Sequence, residues 1–211
     1  VVIYNNSIYD FGFLDWYDNY TGDSSSDSIG VYVHHNSYRT YVLNNNIYNI
    51  DGDAVHVNAW GINDATQFPA NLTYIGYNRL HKSRENSIDV KVAYNTIVSE
   101  NKMFDIANAP GSDGTCNVIQ TEHETVKYPF QRNAWHLFNE IYNCTGNAFR
   151  VNGVVRDVHI IGNVIYDIKN TSYFSGSALQ TFYSSKPIYF VNNMVRDTHN
   201  GFYDHNWRPN V

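Results

Sequence analysis

Long apolar runs are missing from this sequence of 211 residues, in which no stretch of about 18 apolar residues could span a bilayer. An excess of positive charge is missing too, because 14 Lys plus Arg stand against 20 Asp plus Glu, a net charge of −6 at pH 7. Without a basic patch, nucleic acid is not an expected partner. A basic and apolar leader is also absent, so we expect that a signal was removed or that the sequence is an excerpt of a longer chain.

Cysteine is scarce. The only two, Cys116 and Cys144, are not close in sequence to each other or to a pair of histidines, which argues against a zinc site. The two cysteines could form one disulfide or remain as two buried thiols.

Helix-favouring Ala, Leu, Glu and Lys are also infrequent, whereas aromatic residues make up 16% of the chain and include 18 Tyr. This composition favours strands. With 43% hydrophobic residues the chain can bury a sizeable core, and we expect residues 1–211 to form a single domain. Several Asn-X-Ser/Thr motifs suggest a secreted or cell-surface protein.

One phrase recurs seven times along the chain. It reads VIYNNSIYD, VLNNNIYNI, YIGYNRLHK, IVSENKMFD, HLFNEIYNC, IIGNVIYDI and YFVNNMVRD. Its fixed element is an Asn followed two residues later by an apolar residue, and the Asn residues are Asn6, Asn45, Asn78, Asn101, Asn139, Asn163 and Asn193. Their spacings of 39, 33, 23, 38, 24 and 30 residues fit a repeated coil with loops of variable length.

A second alternating phrase follows each Asn and predicts a second strand in every coil. Its predicted inward positions are Val31, Val55, Ile88, Val118, Phe149, Leu179 and Phe202, and then Val33, Val57, Val90, Gln120, Val151, Thr181 and Asp204. The predicted outward positions are Tyr32, His56, Asp89, Ile119, Arg150, Gln180 and Tyr203, and then His34, Asn58, Lys91, Thr121, Asn152, Phe182 and His205. Side chains alternate across a strand, so the outward set forms one exposed face.

These repeats resemble those of right-handed parallel β-helices such as pectate lyases, polygalacturonases, chondroitinase B, alginate lyases and phage tailspikes. The resemblance covers nearly the whole chain and implies an all-β solenoid of about seven coils with loop insertions. An inward Asn at a bend can donate to and accept from its copies in adjacent coils, so we interpret the Asn residues as scaffold. Cys116 and Cys144 fall in adjacent coils but at different points of the turn, so we do not expect a disulfide.

The run ENSIDVKVAYNTIVSENKMF resembles the catalytic strand of lyases of the chondroitinase B and alginate lyase type. The resemblance implies β-elimination on an acidic polysaccharide, with Lys91 as the base and with a neutralised uronate carboxylate. Calcium is the cofactor that this family implies. At the calcium-binding acids of the family, however, this chain has Arg84 and Asn86, with Glu85 between them pointing elsewhere. The Arg expected one coil after the lysine falls near Thr121, and Arg150 is the nearest candidate.

The candidate site therefore lies on the outward face. We predict a catalytic set of Lys91, Arg150 and His56, and a substrate-binding set of His34, Asn58, Asp89, Trp60 and Tyr32. Gly-, Pro- and Ser-containing insertions at 10–28, 59–71, 107–116, 122–134 and 169–177 are expected to wall a cleft beside this face. An Asp two residues from a Lys can equally be a solvated ion pair of little energetic value.

Two further functions stay open. A hydrolase of the polygalacturonase type needs paired carboxylates, which Asp51, Asp53 and Asp89 could supply. A non-catalytic surface fibre, adhesin or spike shaft would self-associate through its open sheet ends, because unpaired parallel edges invite stacking.

Overall fold

Strands are the only regular elements in the part of the chain that the structure describes. This computed structural model describes residues 1–12, 27–58, 68–107, 112, 114–121, 131–153, 155–169, 176–182 and 187–205. Among these residues there is no helix long and apolar enough to cross a membrane. Trp60 and most of the five predicted insertions lie outside the described residues.

Three parallel sheets of seven strands each run along the molecule. The first sheet contains β1 (Val2–Tyr4), β4 (Tyr38–Leu43), β7 (Asn71–Gly76), β10 (Tyr94–Ser99), β13 (Gln131–Leu137), β16 (Val155–Ile161) and β19 (Ile188–Val191). The second contains β2 (Ser7–Phe11), β5 (Asn46–Ile50), β8 (Arg79–Ser83), β11 (Lys102–Ile106), β14 (Glu140–Cys144), β17 (Val164–Ile168) and β20 (Met194–Thr198). The third contains β3 (Val31–Val33), β6 (Val55–Asn58), β9 (Ile88–Lys91), β12 (Asn117–Gln120), β15 (Phe149–Asn152), β18 (Ser177–Phe182) and β21 (Asn200–His205).

Successive strands visit the three sheets in turn, and each strand pairs with the strand three positions further along the chain. The chain is therefore a right-handed parallel β-helix of about seven coils, as predicted. The expectation of two strands per coil was wrong. The first repeated phrase holds two strands, such as β1 and β2, which meet at the turn containing the repeat Asn.

Each of these turns is built in the same way. The residue before each repeat Asn adopts a positive φ between 54° and 69°, whether it is Asn44, Tyr77, Glu100 or Gly162. This left-handed residue turns the chain from the first sheet into the second. The following Asn then points along the axis, where Asn101 Nδ2 donates to Asn139 Oδ1 at 3.1 Å.

A continuous apolar core fills the space between the three sheets. Residues from every sheet contribute to it, among them Val42, Ile75, Ile47, Leu80, Val57, Val90 and Ile160. Outside this core, six rings stack on the second sheet with centroids 4.7 to 5.0 Å apart, in the order Tyr9, Tyr48, His81, Phe104, Tyr142 and Tyr166. Ring stacking between coils thus supports the parallel register of that sheet.

Cys116 and Cys144 form a disulfide, with their Cα atoms 5.9 Å apart, which corrects the expectation of no bridge. Cys144 ends β14 on the second sheet, and Cys116 immediately precedes β12 on the third sheet one coil earlier. Both therefore occupy the corner between these two sheets. The sequence suggested different points of the turn because the insertion at 107–116 hides how far the chain has travelled before Cys116.

Candidate functional site on the third sheet

The predicted outward residues of the first three coils do lie on neighbouring strands of the third sheet. Tyr32 of β3 is paired in register with His56 of β6, and His56 with Asp89 of β9. Asn58 is paired with Lys91 in the same way. The rings of Tyr32 and His34 are 5.0 Å apart, and those of Tyr32 and His56 are 5.4 Å apart. The sheet therefore brings these six predicted residues together.

The fourth coil departs from the predicted faces by one residue. Asn117 pairs with Ile88, Val118 with Asp89, and Gln120 with Lys91. Ile119 therefore points into the core and Gln120 outward, so the prediction for Val118, Ile119, Gln120 and Thr121 was wrong. A shift of one residue exchanges the two faces of a strand, and the adjacent apolar residues Val118 and Ile119 left both phases compatible with the sequence.

Burial also differs from the expectation of an exposed face. His56, Asn58 and Asp89 point away from the core, yet each is at most 7% exposed. Lys91 and Arg150 are half-buried. The site is consequently a recessed one, in which electrostatic interactions are stronger than at an open surface.

Asp89 contacts two side chains of the site, Lys91 and Gln120. Lys91 Nζ lies 3.2 Å from Asp89 Oδ2. Gln120 Nε2 donates a hydrogen bond of 3.4 Å to the same oxygen. Burial, and after it the negative charge of Asp53, raise the pKa of Asp89, whereas the cations Lys91, His56 and Arg150 oppose that rise.

His56 lies between two carboxylates. Its Nδ1 is 2.6 Å from Asp53 Oδ2, and a ligand atom of each of Asp53, His56 and Asp89 lies within 4.8 Å of the other two. Burial alone would lower the pKa of His56, but the hydrogen bond to Asp53 and the charges of Asp89 and Asp53 raise it. His34 shows the opposite shift, because burial and then the neighbouring His35 and His56 lower its pKa.

A cleft of about 300 Å³ opens beside Asp89. Its lining residues are Glu85, Asn86, Asp89, Lys91, Ser112, Gln120 and Arg150. Arg150 is thus close to Lys91 although it comes from a strand two positions away. Glu85, which was expected to point elsewhere, also lines the cleft. Burial, followed by the charge of Asp53, raises the pKa of Glu85 to about 7.

The two positions implied as calcium ligands carry Arg84 and Asn86, and both make buried polar contacts. Arg84 is fully buried, and its guanidinium donates to Asp51 at 2.6 Å and to Asp27 at 2.5 Å. Asn86 donates through Nδ2 to Asp53 Oδ1 at 2.8 Å. A guanidinium offers no lone pair to a cation, so Arg84 is not a calcium ligand. Asp51, one of the candidate hydrolase acids, forms a buried ion pair with Arg84.

A second hollow of about 510 Å³ lies just past the ends of the third-sheet strands. Tyr38, Phe68 and Tyr94 provide its aromatic surface, and Arg132 lies over the Tyr94 ring at 4.0 Å. Tyr94 follows Lys91 by three residues, which limits the distance between their Cα atoms to about 11 Å. The backbone at the Tyr94 end of the hollow is therefore near the backbone at the Lys91 end of the cleft.

Sequence reasoning missed Gln120 and Glu85. Gln120 was assigned to the core by the register error in β12. Glu85 sits in the turn before β9, where strand alternation gives no information about direction. The one available signal was its position between Arg84 and Asn86, next to the strand that carries Asp89 and Lys91.

Two solved structures are similar to this chain. One is the A-module of the mannuronan C-5 epimerase AlgE4 from Azotobacter vinelandii, with a TM-score of 0.62 and 14% identity over 85% of this chain and 48% of that chain. The other is the catalytic domain of Agl-KA, with a TM-score of 0.55 and 12% identity over 97% of this chain and 42% of that chain. The chain spans less than half the length of either structure. No family model and no curated protein sequence matches it. At these identities the likeness concerns the fold, which is that of a parallel β-helix.

Proposed function

We propose that this chain binds an acidic polysaccharide in the cleft beside Asp89 and cleaves it by β-elimination. The observation that carries the proposal is the convergence of Lys91 and Arg150 with Glu85 around one recessed cleft of about 300 Å³. Elimination from a uronate removes the C5 proton, breaks the C4–O glycosidic bond and forms the C4=C5 double bond. It needs cations at the carboxylate, a base for the C5 proton and a proton for the leaving oxygen, which water can supply. A fold shared with a protein named as a mannuronan C-5 epimerase supports a polysaccharide ligand.

Lys91 and Arg150 would receive the sugar carboxylate. Removing the proton from the carbon next to a carboxylate builds negative charge on that group, so cations placed there stabilise the transition state. Arg150 can donate two parallel hydrogen bonds to a carboxylate, and Lys91 acts as a point charge. Gln120 would supply a further hydrogen bond to a hydroxyl group, whereas Asn58 is buried and does not line the cleft.

Glu85 is our choice for the base. The lysine was the base implied by the resemblance, but a base must be unprotonated, and Lys91 faces the carboxylate of Asp89 at 3.2 Å. Glu85 has a pKa raised to about 7, close to the value at which a general base is most effective. Lys91 as the base remains an untested prediction that the pH profile distinguishes from Glu85.

The rest of the predicted set would extend the binding surface. Tyr32 and His34 lie on the first coil beside His56, and the exposed rings of Tyr38 and Phe68 in the hollow offer faces on which pyranoses stack. A polysaccharide would thus run across several coils. Such a ligand also fits a secreted or cell-surface location, which we include in the proposal.

The test is a screen of alginate, pectate and glycosaminoglycans as substrates. Unsaturated uronate products are detected by their ultraviolet absorbance. We expect product from at least one of these substrates, and a loss of about 100-fold or more in Lys91→Ala. Lys102→Ala is the matched control, because Lys102 pairs with Glu140 on the second sheet, away from the cleft. Absence of product on all substrates, or equal rates in the parent and Lys91→Ala, would refute the catalytic proposal. Binding without product would instead favour a non-catalytic β-helix, for which self-association through the sheet ends can be measured by light scattering.

A further inference from the structure

Aromatic rings, amides and one arginine line the hollow of about 510 Å³ at the corner between the third and first sheets. Its residues lie at the starts of β4, β7, β10 and β13 or shortly before them. Tyr38, Asn71, Tyr94 and Arg132 are paired in register across these four strands. At the spacing of parallel strands this row is about 14 Å long, so it can contact more than one unit of an extended polymer.

Phe68 is fixed in the hollow by its backbone while its ring stays open to solvent. Phe68 N donates to Asn36 Oδ1 at 2.8 Å, and Asn36 N donates to the carbonyl oxygen of Phe68 at 2.8 Å. Phe68 is nevertheless 56% exposed, and Tyr38 is 53% exposed. Because the position of Phe68 is already set, a ligand that packs on its ring need not order the segment that carries it.

Arg132 gives the hollow a positive charge that no carboxylate among the described lining residues offsets. It is exposed, and its guanidinium lies over the Tyr94 ring at 4.0 Å from the ring centre. Arg156, also exposed, is paired in register with Arg132 on the next strand of the first sheet. The cleft, by contrast, is lined by the acids Glu85 and Asp89 as well as by cations. A guanidinium presented in this way suits an anionic ligand, because its planar fork can donate two hydrogen bonds to one carboxylate.

We propose that this hollow is a subsite for a second acidic sugar of a polysaccharide, in which Arg132 binds the acidic group and the rings of Tyr38 and Phe68 contact the apolar faces of the sugars. The inference takes the class of ligand from the proposed function, but it concerns binding and does not require elimination. Tyr94 follows Lys91 by three residues, so one polysaccharide chain can reach from the cleft to the hollow. The ligand would then carry acidic groups on more than one sugar, and a polymer with isolated acidic units would bind more weakly.

Affinity electrophoresis in gels that contain alginate, pectate or hyaluronate is the test. We expect the parent to be retarded by at least one of these polysaccharides. Arg132→Gln should weaken that binding about 10-fold or more, because a charge-assisted contact is lost. Phe68→Ala should weaken it about 3-fold or more, and it leaves the backbone hydrogen bonds to Asn36 in place.

Arg79→Gln is the matched control. Arg79 is also an exposed arginine over an aromatic ring, with its guanidinium 4.4 Å from the centre of the Phe104 ring, but it lies on the second sheet. It should bind the polysaccharides like the parent. Circular dichroism checks that each variant folds, and if Arg132→Gln does not, Phe68→Ala decides.

A second arm separates the hollow from the cleft. In a Lys91→Ala background, Arg132→Gln should weaken binding by the same factor as in the parent, since the two side chains contact different sugars. Arg132-dependent binding without unsaturated product would refute only the elimination reaction. No binding by the parent, equal affinities in the parent and the folded variants, an equal loss in Arg79→Gln, or an Arg132 effect that disappears in Lys91→Ala would overturn the subsite, even if elimination is detected.

Discussion

Lys91 Nζ lies 3.2 Å from Asp89 Oδ2, so the lysine of the candidate catalytic strand is held by the carboxylate two residues before it. An exposed pair of this kind would have little consequence. Here Asp89 is buried and also accepts from Gln120, which joins side chains of two coils. The pair thus positions the ammonium at the cleft, and in the proposed reaction another group would remove the proton.

The first prediction concerns that other group, Glu85. If Glu85 is the base, it must be ionised, so kcat/KM should rise with pH through about 7 and level off above it. Glu85→Gln should lower kcat/KM about 100-fold or more and remove this limb of the profile. Steady-state rates of unsaturated product formation between pH 5 and about 9 provide the measurement.

Glu140→Gln is the matched control, because Glu140 lies on the second sheet and binds Lys102 and Tyr166 instead of the cleft. It should retain the parent profile. A limb near pH 7 that persists in Glu85→Gln, or a rate that rises only near the usual pKa of an amine, would rule out Glu85 and return the role to Lys91.

The second prediction concerns the repeat Asn residues. Asn101 Oδ1 accepts from the backbone and side-chain nitrogens of Asn78 at 3.0 and 2.9 Å, and Asn101 Nδ2 donates to Asn139. Asn101→Ala therefore leaves several buried groups unsatisfied and should cost about 3 kcal/mol or more. For a chain of this length we expect the unfolding temperature to fall by about 6 to 12 °C, as followed by circular dichroism.

Asn6→Ala provides the comparison, because Asn6 is exposed at the first coil, where its Nδ2 donates to Asn45 Oδ1 and to the carbonyl oxygen of Tyr4. Its unfolding temperature should fall by no more than about 4 °C. Equal losses in the two variants would show that burial of the repeat Asn residues does not determine their contribution.

The repeat was also what made the fold predictable from sequence. A phrase recurring seven times implies stacked coils, and the Asn at each bend is a residue that stacking can satisfy. The third strand of each coil was missed because the first phrase reads as one alternation through the turn at Asn45 or Asn78. The left-handed residue before each Asn breaks that alternation. Tyr77 and Phe138 have a positive φ, which cannot be predicted from these residue types because they rarely adopt it.

The site was predicted where alternation was clean and missed where it was not. His56, Asp89 and Lys91 follow from Val55, Val57 and Val90, which are core residues flanking polar ones. Gln120 was wrongly assigned to the core, because the observed register of β12 differs from the predicted one by one residue. Burial of the outward residues could not be foreseen either, because alternation assigns a face without saying what covers it.

The third prediction concerns the disulfide between Cys116 and Cys144, which closes a separation of 28 residues. Loop closure of this length corresponds to about 3 to 4 kcal/mol of stabilisation. The double variant Cys116→Ala/Cys144→Ala should unfold about 6 to 16 °C below the oxidised parent. Reduction should lower the unfolding temperature of the parent toward that of the double variant. It should leave the unfolding temperature of the variant unchanged. A parent whose unfolding temperature is the same before and after complete reduction, verified by alkylation and mass measurement, would contradict the structural bond.

The last prediction concerns His136, which is fully buried beneath the first sheet. Asn117 Nδ2 donates to His136 Nδ1 at 3.0 Å, so this nitrogen is an unprotonated acceptor. Burial lowers the pKa of His136 to about 3. The folded state therefore favours the neutral ring, and protonation of the unfolded chain pulls the equilibrium toward unfolding once the pH drops below about 6.5.

The stability from this group is fully present above pH 6.5, the usual value for histidine, and is lost as the pH falls toward the folded value of about 3. Between pH 7 and pH 4 the free energy of unfolding should decrease by about 3 kcal/mol from His136 alone. His136→Gln cannot be protonated, so its denaturant-unfolding curve should lose about 3 kcal/mol less than the parent over the same interval, even if it is less stable at pH 7. Because all other titrating groups are shared, the difference between the two proteins isolates His136. Parallel pH dependences in parent and variant would mean that the ring is protonated in the folded state, and that the Asn117 contact does not hold it neutral.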